Sequence, residues 1–131
     1  MWSLKFQGET AITSSSDGTV KVWQCGKQEE SDVHTPMQCQ RVLLHRGGEV
    51  WSCDMTTDSI FSGGRDTVAK IWDRETGLNY MKLEAHRSSV FKIHAGQGPA
   101  GCHSVLTCGG DGFAIFWDMR TGTACSNIAW H

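Results

Sequence analysis

FSGGRDTVAKIWD, residues 61–73, decides the fold, because two other segments of the chain repeat it in register. ITSSSDGTVKVWQ begins at Ile12 and LTCGGDGFAIFWD at Leu106. In each, a Ser or Thr stands four positions before an Asp, and a Trp stands six positions after it. The triplets are Thr13, Asp17 and Trp23; Ser62, Asp66 and Trp72; and Thr107, Asp111 and Trp117. The tryptophans are spaced by 49 and 45 residues, a period that marks a repeated supersecondary unit.

The flanking segments repeat as well. LLHRGGEVWSC holds His45 and EAHRSSVFKI holds His86, each followed four or five residues later by a Val and an aromatic. The chain opens with MWSL, which matches VWSC from Val50, and closes on His131 in the place of His45 and His86. Every unit is built of short runs rich in Val, Ile, Phe and Trp between Gly, Asp, Ser and Asn turns. None carries a sustained 3.6-residue period, so the class is all-β. The runs predict strands at 1–6, 10–14, 19–24 and 38–44, then at 49–55, 58–63, 68–73 and 78–85. The third set falls at 90–95, 103–108, 113–118 and 123–129. Residues 25–37, CGKQEESDVHTPM, are polar, contain a Pro and read as a surface insertion in a hairpin.

These residues resemble the WD-repeat family, and the resemblance covers nearly the whole chain. The Trp-Asp dipeptide stands at Trp72-Asp73 and Trp117-Asp118 and becomes Trp23-Gln24 in the first unit. The family's Gly-His dipeptide keeps only its His, at Leu44-His45, Ala85-His86 and Trp130-His131. The resemblance implies a β-propeller of three four-stranded antiparallel blades, at about 1–44, 45–85 and 86–131, forming an incomplete ring. It also implies one buried hydrogen-bond chain per blade: His45, Ser62, Asp66 and Trp72; His86, Thr107, Asp111 and Trp117. Thr13, Asp17 and Trp23 form a third set whose His would lie before Met1. The physical reason is that a buried indole N–H, hydroxyl or imidazole must each find a partner.

Two apparent catalytic motifs dissolve in this frame. Ser62, His45 and Asp66 have the composition of a hydrolase triad, yet the trio recurs as Thr107, His86 and Asp111. A nucleophilic site does not repeat once per blade. Gly96, Gly98 and Gly101 satisfy GxGxxG literally, but the motif holds Pro99 and leads into a strand instead of a helix. The sets Cys102, His103, Cys108 and Cys25, His34, Cys39 lack the close paired spacing of a zinc site. Six cysteines without a CxxC pair or a signal peptide read as reduced thiols of a cytoplasmic or nuclear protein. No catalytic residue, metal or cofactor is expected, and the positions lining the channel read as mostly aromatic or small.

What remains is binding. The resemblance implies partner contacts after the start of each innermost strand and just before each turn Asp. Those positions are Trp2, Trp51 and Phe91, and Ser16, Arg65 and Gly110. Aromatics with an Arg beside them are the usual chemistry of interface anchors, and Arg46 and Arg87 are expected to add affinity for acidic or phosphorylated segments. Trp117-Asp118-Met119-Arg120 is similar to the WDxR box of cullin-type ubiquitin-ligase substrate receptors, where Arg120 would reach the ligase adaptor. In the middle blade the Arg follows the Asp directly, as Arg74.

A protein-interaction scaffold is the leading expectation, with a ligase receptor or an RNA-binding propeller as alternatives. A net charge of −2 argues against RNA, since phosphate binding needs a Lys/Arg surplus. No apolar run is long enough to span a bilayer. Propellers close with about 4–8 blades. The expected setting is therefore a longer parent chain, or an oligomer, that supplies further blades.

Overall fold

Each repeated segment forms the centre of a four-stranded antiparallel sheet. The computed structural model describes residues 3–24, 38–45, 48–56, 58–84, 86–97, 103–118 and 123–129. The first sheet pairs β1 (Ser3–Gln7), β2 (Thr10–Ser14), β3 (Thr19–Gln24) and β4 (Gln38–Leu44) in chain order. The second pairs β5 (Val50–Met55), β6 (Ser59–Gly64), β7 (Val68–Asp73) and β8 (Asn79–Glu84) in the same way. The third pairs β9 (Val90–Gln97), β10 (His103–Gly109), β11 (Phe113–Asp118) and β12 (Thr123–Ala129). Three blades of a β-propeller result. The longest departure from the expected strands is β9, which runs on through Gly96 to Gln97.

Side-chain alternation decides what each face buries. Ile12, Val20, Val22 and Leu43 of the first blade pack on Val50, Cys53, Met55, Ile60 and Trp72 of the second. From the opposite face of the second blade, Phe61, Ala69, Ile71 and Leu83 pack on Ile93, Val105, Ile115 and Trp117 of the third. Because both faces of the second blade are covered, β6 is buried along its whole length. Its continuous run Ile60-Phe61 is the sequence signature of that double burial. The innermost strand of each blade, β5 and then β9, lies against the blade before it.

One irregularity recurs. The pairing register shifts beside the repeated Trp in every sheet, at Val22/Trp23, Ile71/Trp72 and Phe116/Trp117. A bulge there turns the indole out of strict alternation with its neighbours. No helix among the described residues is long and apolar enough to cross a membrane.

Candidate functional site

The histidines, hydroxyls and aspartates of the second and third blades are joined as continuous chains. Trp72 Nε1 donates to Ser62 Oγ at 2.9 Å, and the same oxygen lies 2.9 Å from His45 Nδ1. His45 Nε2 in turn lies 2.8 Å from Asp66 Oδ1. In the third blade Trp117 Nε1 donates to Thr107 Oγ1 at 2.9 Å, and His86 Nε2 is 2.7 Å from that hydroxyl. His86 Nδ1 faces Asp111, at 3.2 and 3.1 Å from its two oxygens.

The direction of the protons follows from chemistry. An indole N–H only donates and an ionised carboxylate only accepts. Each hydroxyl therefore accepts from the Trp and gives its own proton to the His, whose other nitrogen donates to the Asp. Ser62, Thr107 and His45 are fully buried, which keeps these groups from solvent.

The first blade keeps part of the arrangement. Trp23 Nε1 donates to Thr13 Oγ1 at 3.0 Å. Asp17 accepts from the Thr19 backbone N–H and hydroxyl, and these bonds hold its carboxyl below the ordinary value. Burial pulls the Asp111 carboxyl upward, but the Arg87 and Phe113 N–H groups, together with His86, outweigh it and hold the group low. Gly109 makes room for this set. A Cβ added there would stand 2.5 Å from His86 Nδ1 and 2.9 Å from Asp111 Oδ1.

The inner strands are more polar than the sequence reading expects. Asp54, on β5, accepts the Met55 N–H through Oδ1 at 2.8 Å and the Ala95 N–H through Oδ2 at 2.9 Å. Ser52 accepts the Ile93 N–H at 3.1 Å. Two β5 side chains thus satisfy backbone donors of β9, where no strand pairs. His94 Nδ1 approaches Asp54 Oδ2 at 3.3 Å. The sequence concealed Ser52 and Asp54 because alternation marks only which face they share, not that β9 brings its N–H groups to them.

Other reactive groups are also committed or quiet. Burial pushes the Cys53 and Cys108 thiols up, away from the thiolate that nucleophilic chemistry needs. Among the described residues no three His, Cys, Asp or Glu side chains gather as a metal site. Arg74 donates to the Gln7 side chain and, at 3.0 Å, to the Thr56 carbonyl, tying the second blade to the first. Arg41 ties them again, through the Thr76 carbonyl at 2.8 Å and the Glu75 carbonyl.

At the end of the blades that carries the β6–β7 and β10–β11 turns, the predicted contact residues come together. The rings of Trp51 and Phe91 lie 5.4 Å apart, tilted by 32°. Trp51 Nε1 donates to Glu49 Oε2 at 2.8 Å, which fixes the indole. Phe91 is 47% exposed. It lies over Gly110, where an added Cβ would meet Phe91 Cζ at 3.1 Å and Ser88 Oγ at 2.8 Å. Arg65 is exposed beside them, and its carbonyl accepts from Ser89 Oγ at 2.9 Å. Arg87 is exposed on the same end. Trp2, Arg46, Arg120 and His131 lie outside the described residues, as do Cys25, His34, Gly98, Pro99, Gly101 and Cys102.

Comparison with known proteins agrees with this geometry. The family described as "WD domain, G-beta repeat" matches residues 2–24 and 37–73. Among curated proteins, the chain is 29% identical over 124 residues to the DENN domain and WD repeat-containing protein SCD1 of Arabidopsis thaliana. That match covers 95% of this chain and 9% of the relative. It is 27% identical to THO complex subunit 6 of Arabidopsis thaliana, covering 92% of this chain and 38% of that protein. It is 26% identical to the methylosome protein WDR77 of Xenopus laevis, with the same two coverages of 92% and 38%. The chain therefore spans well under half the length of these relatives. Among solved structures, the computationally designed Ika4 protein superimposes with a TM-score of 0.78 at 25% identity. That likeness covers 98% of this chain and 71% of the other.

Proposed function

The chain belongs to the WD-repeat family, and from that premise we propose that it is a non-catalytic protein-interaction module. WD-repeat proteins generally serve as interaction scaffolds within complexes, and two of the relatives are named as a complex subunit and a methylosome protein. The observation that carries the reading here is the tilted Trp51–Phe91 pair, with Phe91 exposed and an exposed Arg65 in the adjoining turn. Rigid aromatics flanked by Arg supply most of the binding energy at protein interfaces. Arg65 and Arg87 are exposed on this end and offer guanidinium donors to an acidic residue of a partner segment.

Site-specific photocross-linking tests the reading in the full-length protein. A photoreactive phenylalanine analogue at Phe91 should capture partner proteins on illumination. The same analogue at exposed Leu78, on the far end of the second blade, should not. Equal capture at both positions, or none at Phe91, contradicts the assignment.

The narrower reading of a ligase receptor rests on the Trp117-Asp118-Met119-Arg120 tetrapeptide. Its test is co-purification of a ligase adaptor that is lost on Arg120→Ala. A cytoplasmic or nuclear setting is part of the same proposal.

A further inference from the structure

The first and third blades each carry half of a junction that the chain completes twice elsewhere. A junction sets the front of one blade on the back of the next. Ile12, Val20 and Val22 pack on Cys53 and Met55, and Phe61, Ala69 and Ile71 pack on Ile93 and Val105. Register carries both halves to the ends of the row. Leu4 faces Thr13 and Phe6 faces Ala11, as Cys53 faces Ser62 and Met55 faces Ile60. Leu4 and Phe6 therefore stand on the back of the first blade. Leu106 faces Phe116 as Phe61 faces Ile71, which puts both on the front of the third. Cys53, Met55, Phe61 and Ile71 are buried, whereas Leu4, Phe6 and Phe116 are 44%, 61% and 40% exposed.

The same two ends are halves of a hydrogen-bond set. Each histidine follows the last strand of one blade and completes the back of the next, His45 at Ser62 and His86 at Thr107. In the first blade Thr13 accepts from Trp23 and Asp17 from Thr19, and among the described residues no imidazole bonds to either. His131, outside the described residues, follows Asp111 by 20 positions, as His86 follows Asp66 by 20. Lys70 Nζ donates to the His45 carbonyl, and Lys21 faces Thr13 as Lys70 faces Ser62. The back of the first blade thus repeats the parts that elsewhere receive a histidine, its carbonyl and an apolar front.

We infer that the occupant of this back face is a second copy of the chain, docked head to tail. Leu106 and Phe116 of each copy pack on Leu4 and Phe6 of the other, and His131 of each enters the slot beside Thr13 and Asp17 of the other. Complementarity selects this arrangement. Back joined to back would set Thr13 against Thr13 and bring no imidazole, and front joined to front would leave both slots open. Two such junctions cover all four end faces, and three blades from each copy close a ring within the range of about 4–8 blades.

Sedimentation of the full chain at micromolar concentration, combined with cross-linking, tests this. The wild type should sediment as a closed dimer, and Phe6→Glu or Phe116→Glu as a monomer with unchanged circular dichroism. His131→Ala should weaken the dimer about tenfold or more. A cross-link reads the orientation. Ser14 adjoins the Cys53 thiol across the first junction, and Cys108 faces Ala114 as Ser14 faces Val20. Cys108 should therefore meet Leu4 of the other copy. With oxidised glutathione as oxidant, Leu4→Cys should form a disulfide between copies that Cys108→Ser abolishes, and this result stands even where a charged variant fails to fold. A wild-type monomer, as an adjoining blade of a longer chain would leave it, overturns the proposal. So does an assembly that lengthens with concentration, a dimer indifferent to Phe6→Glu and Phe116→Glu, or a cross-link that survives Cys108→Ser.

Discussion

His45 and His86 hold the same partners with opposite ring nitrogens. His45 presents Nδ1 to Ser62 and Nε2 to Asp66, whereas His86 presents Nε2 to Thr107 and Nδ1 to Asp111. The spacing explains the inversion. His45 stands five residues before Val50, and His86 only four before Val90, so the two rings enter equivalent pockets from different points of the backbone. Since the carboxylate must receive a proton, the two histidines should be opposite tautomers. Long-range ¹⁵N–¹H correlation spectra near neutral pH should show His45 with its proton on Nε2 and His86 with its proton on Nδ1. The same tautomer at both sites contradicts the donor order.

Removing the central hydroxyl should be costly in both blades. Ser62→Ala or Thr107→Ala leaves a buried indole N–H and an imidazole nitrogen unpaired. Each change should destabilise by about 1–3 kcal/mol, read as a lower melting temperature. Asp66→Ala should act in the same direction. An unchanged melting curve in all three variants would retire the hydrogen-bond chain as a stabilising element.

Asp111 gives the stability a pH dependence of known sign. Its carboxyl titrates lower in the folded chain than in the unfolded one, so its contribution is fully present above the ordinary carboxyl value near 3.8. It is lost as pH falls from there through the depressed folded value. The stability gap between wild type and Asp111→Asn should therefore stay level down to about pH 4 and narrow below it. A gap that widens on acidification has the wrong sign.

Asp54 should hold the second and third blades together. Asp54→Ala removes the acceptor that the Met55 and Ala95 N–H groups use, at a cost of about 1–3 kcal/mol. Amide exchange at Ala95 should quicken more than exchange at Ile93, which Ser52 still holds. Equal protection in wild type and variant would show that the carboxylate is not the partner that matters.

Gly109→Ala separates close approach from mere turn propensity. The added methyl collides with His86 Nδ1 and Asp111, both held in place, so the third blade should lose stability without any change in charge. Gly110→Ala should instead displace Phe91 and weaken partner binding more than folding. Thermal melts with a binding assay distinguish the two, and identical profiles would count against the assignment of each glycine.

Much of this was legible in the sequence because a repeat states its own register. The Ser/Thr, Asp and Trp spacing placed the central hairpin of each blade, and the alternating runs located the strands to within a few residues. Contacts between blades were not legible. Nothing local marks Asp54 as the acceptor for Ala95, Arg74 as a tie to Gln7, or Gly109 as the floor beneath His86, since each depends on how one sheet lies against the next. The ring inversion was invisible for a similar reason. A one-residue difference in spacing reads as tolerance until the hydrogen-bond partners are seen.

The central claim is that the accessible Trp51–Phe91 surface binds partner proteins, while the His, Ser/Thr and Asp sets only support it. Quantitative affinity purification of the full-length protein with and without Trp51→Ala tests this most directly. The account predicts that Trp51→Ala loses partners that the wild type recovers while its melting curve stays in place. Full recovery of every partner by a normally folded Trp51→Ala protein would contradict it.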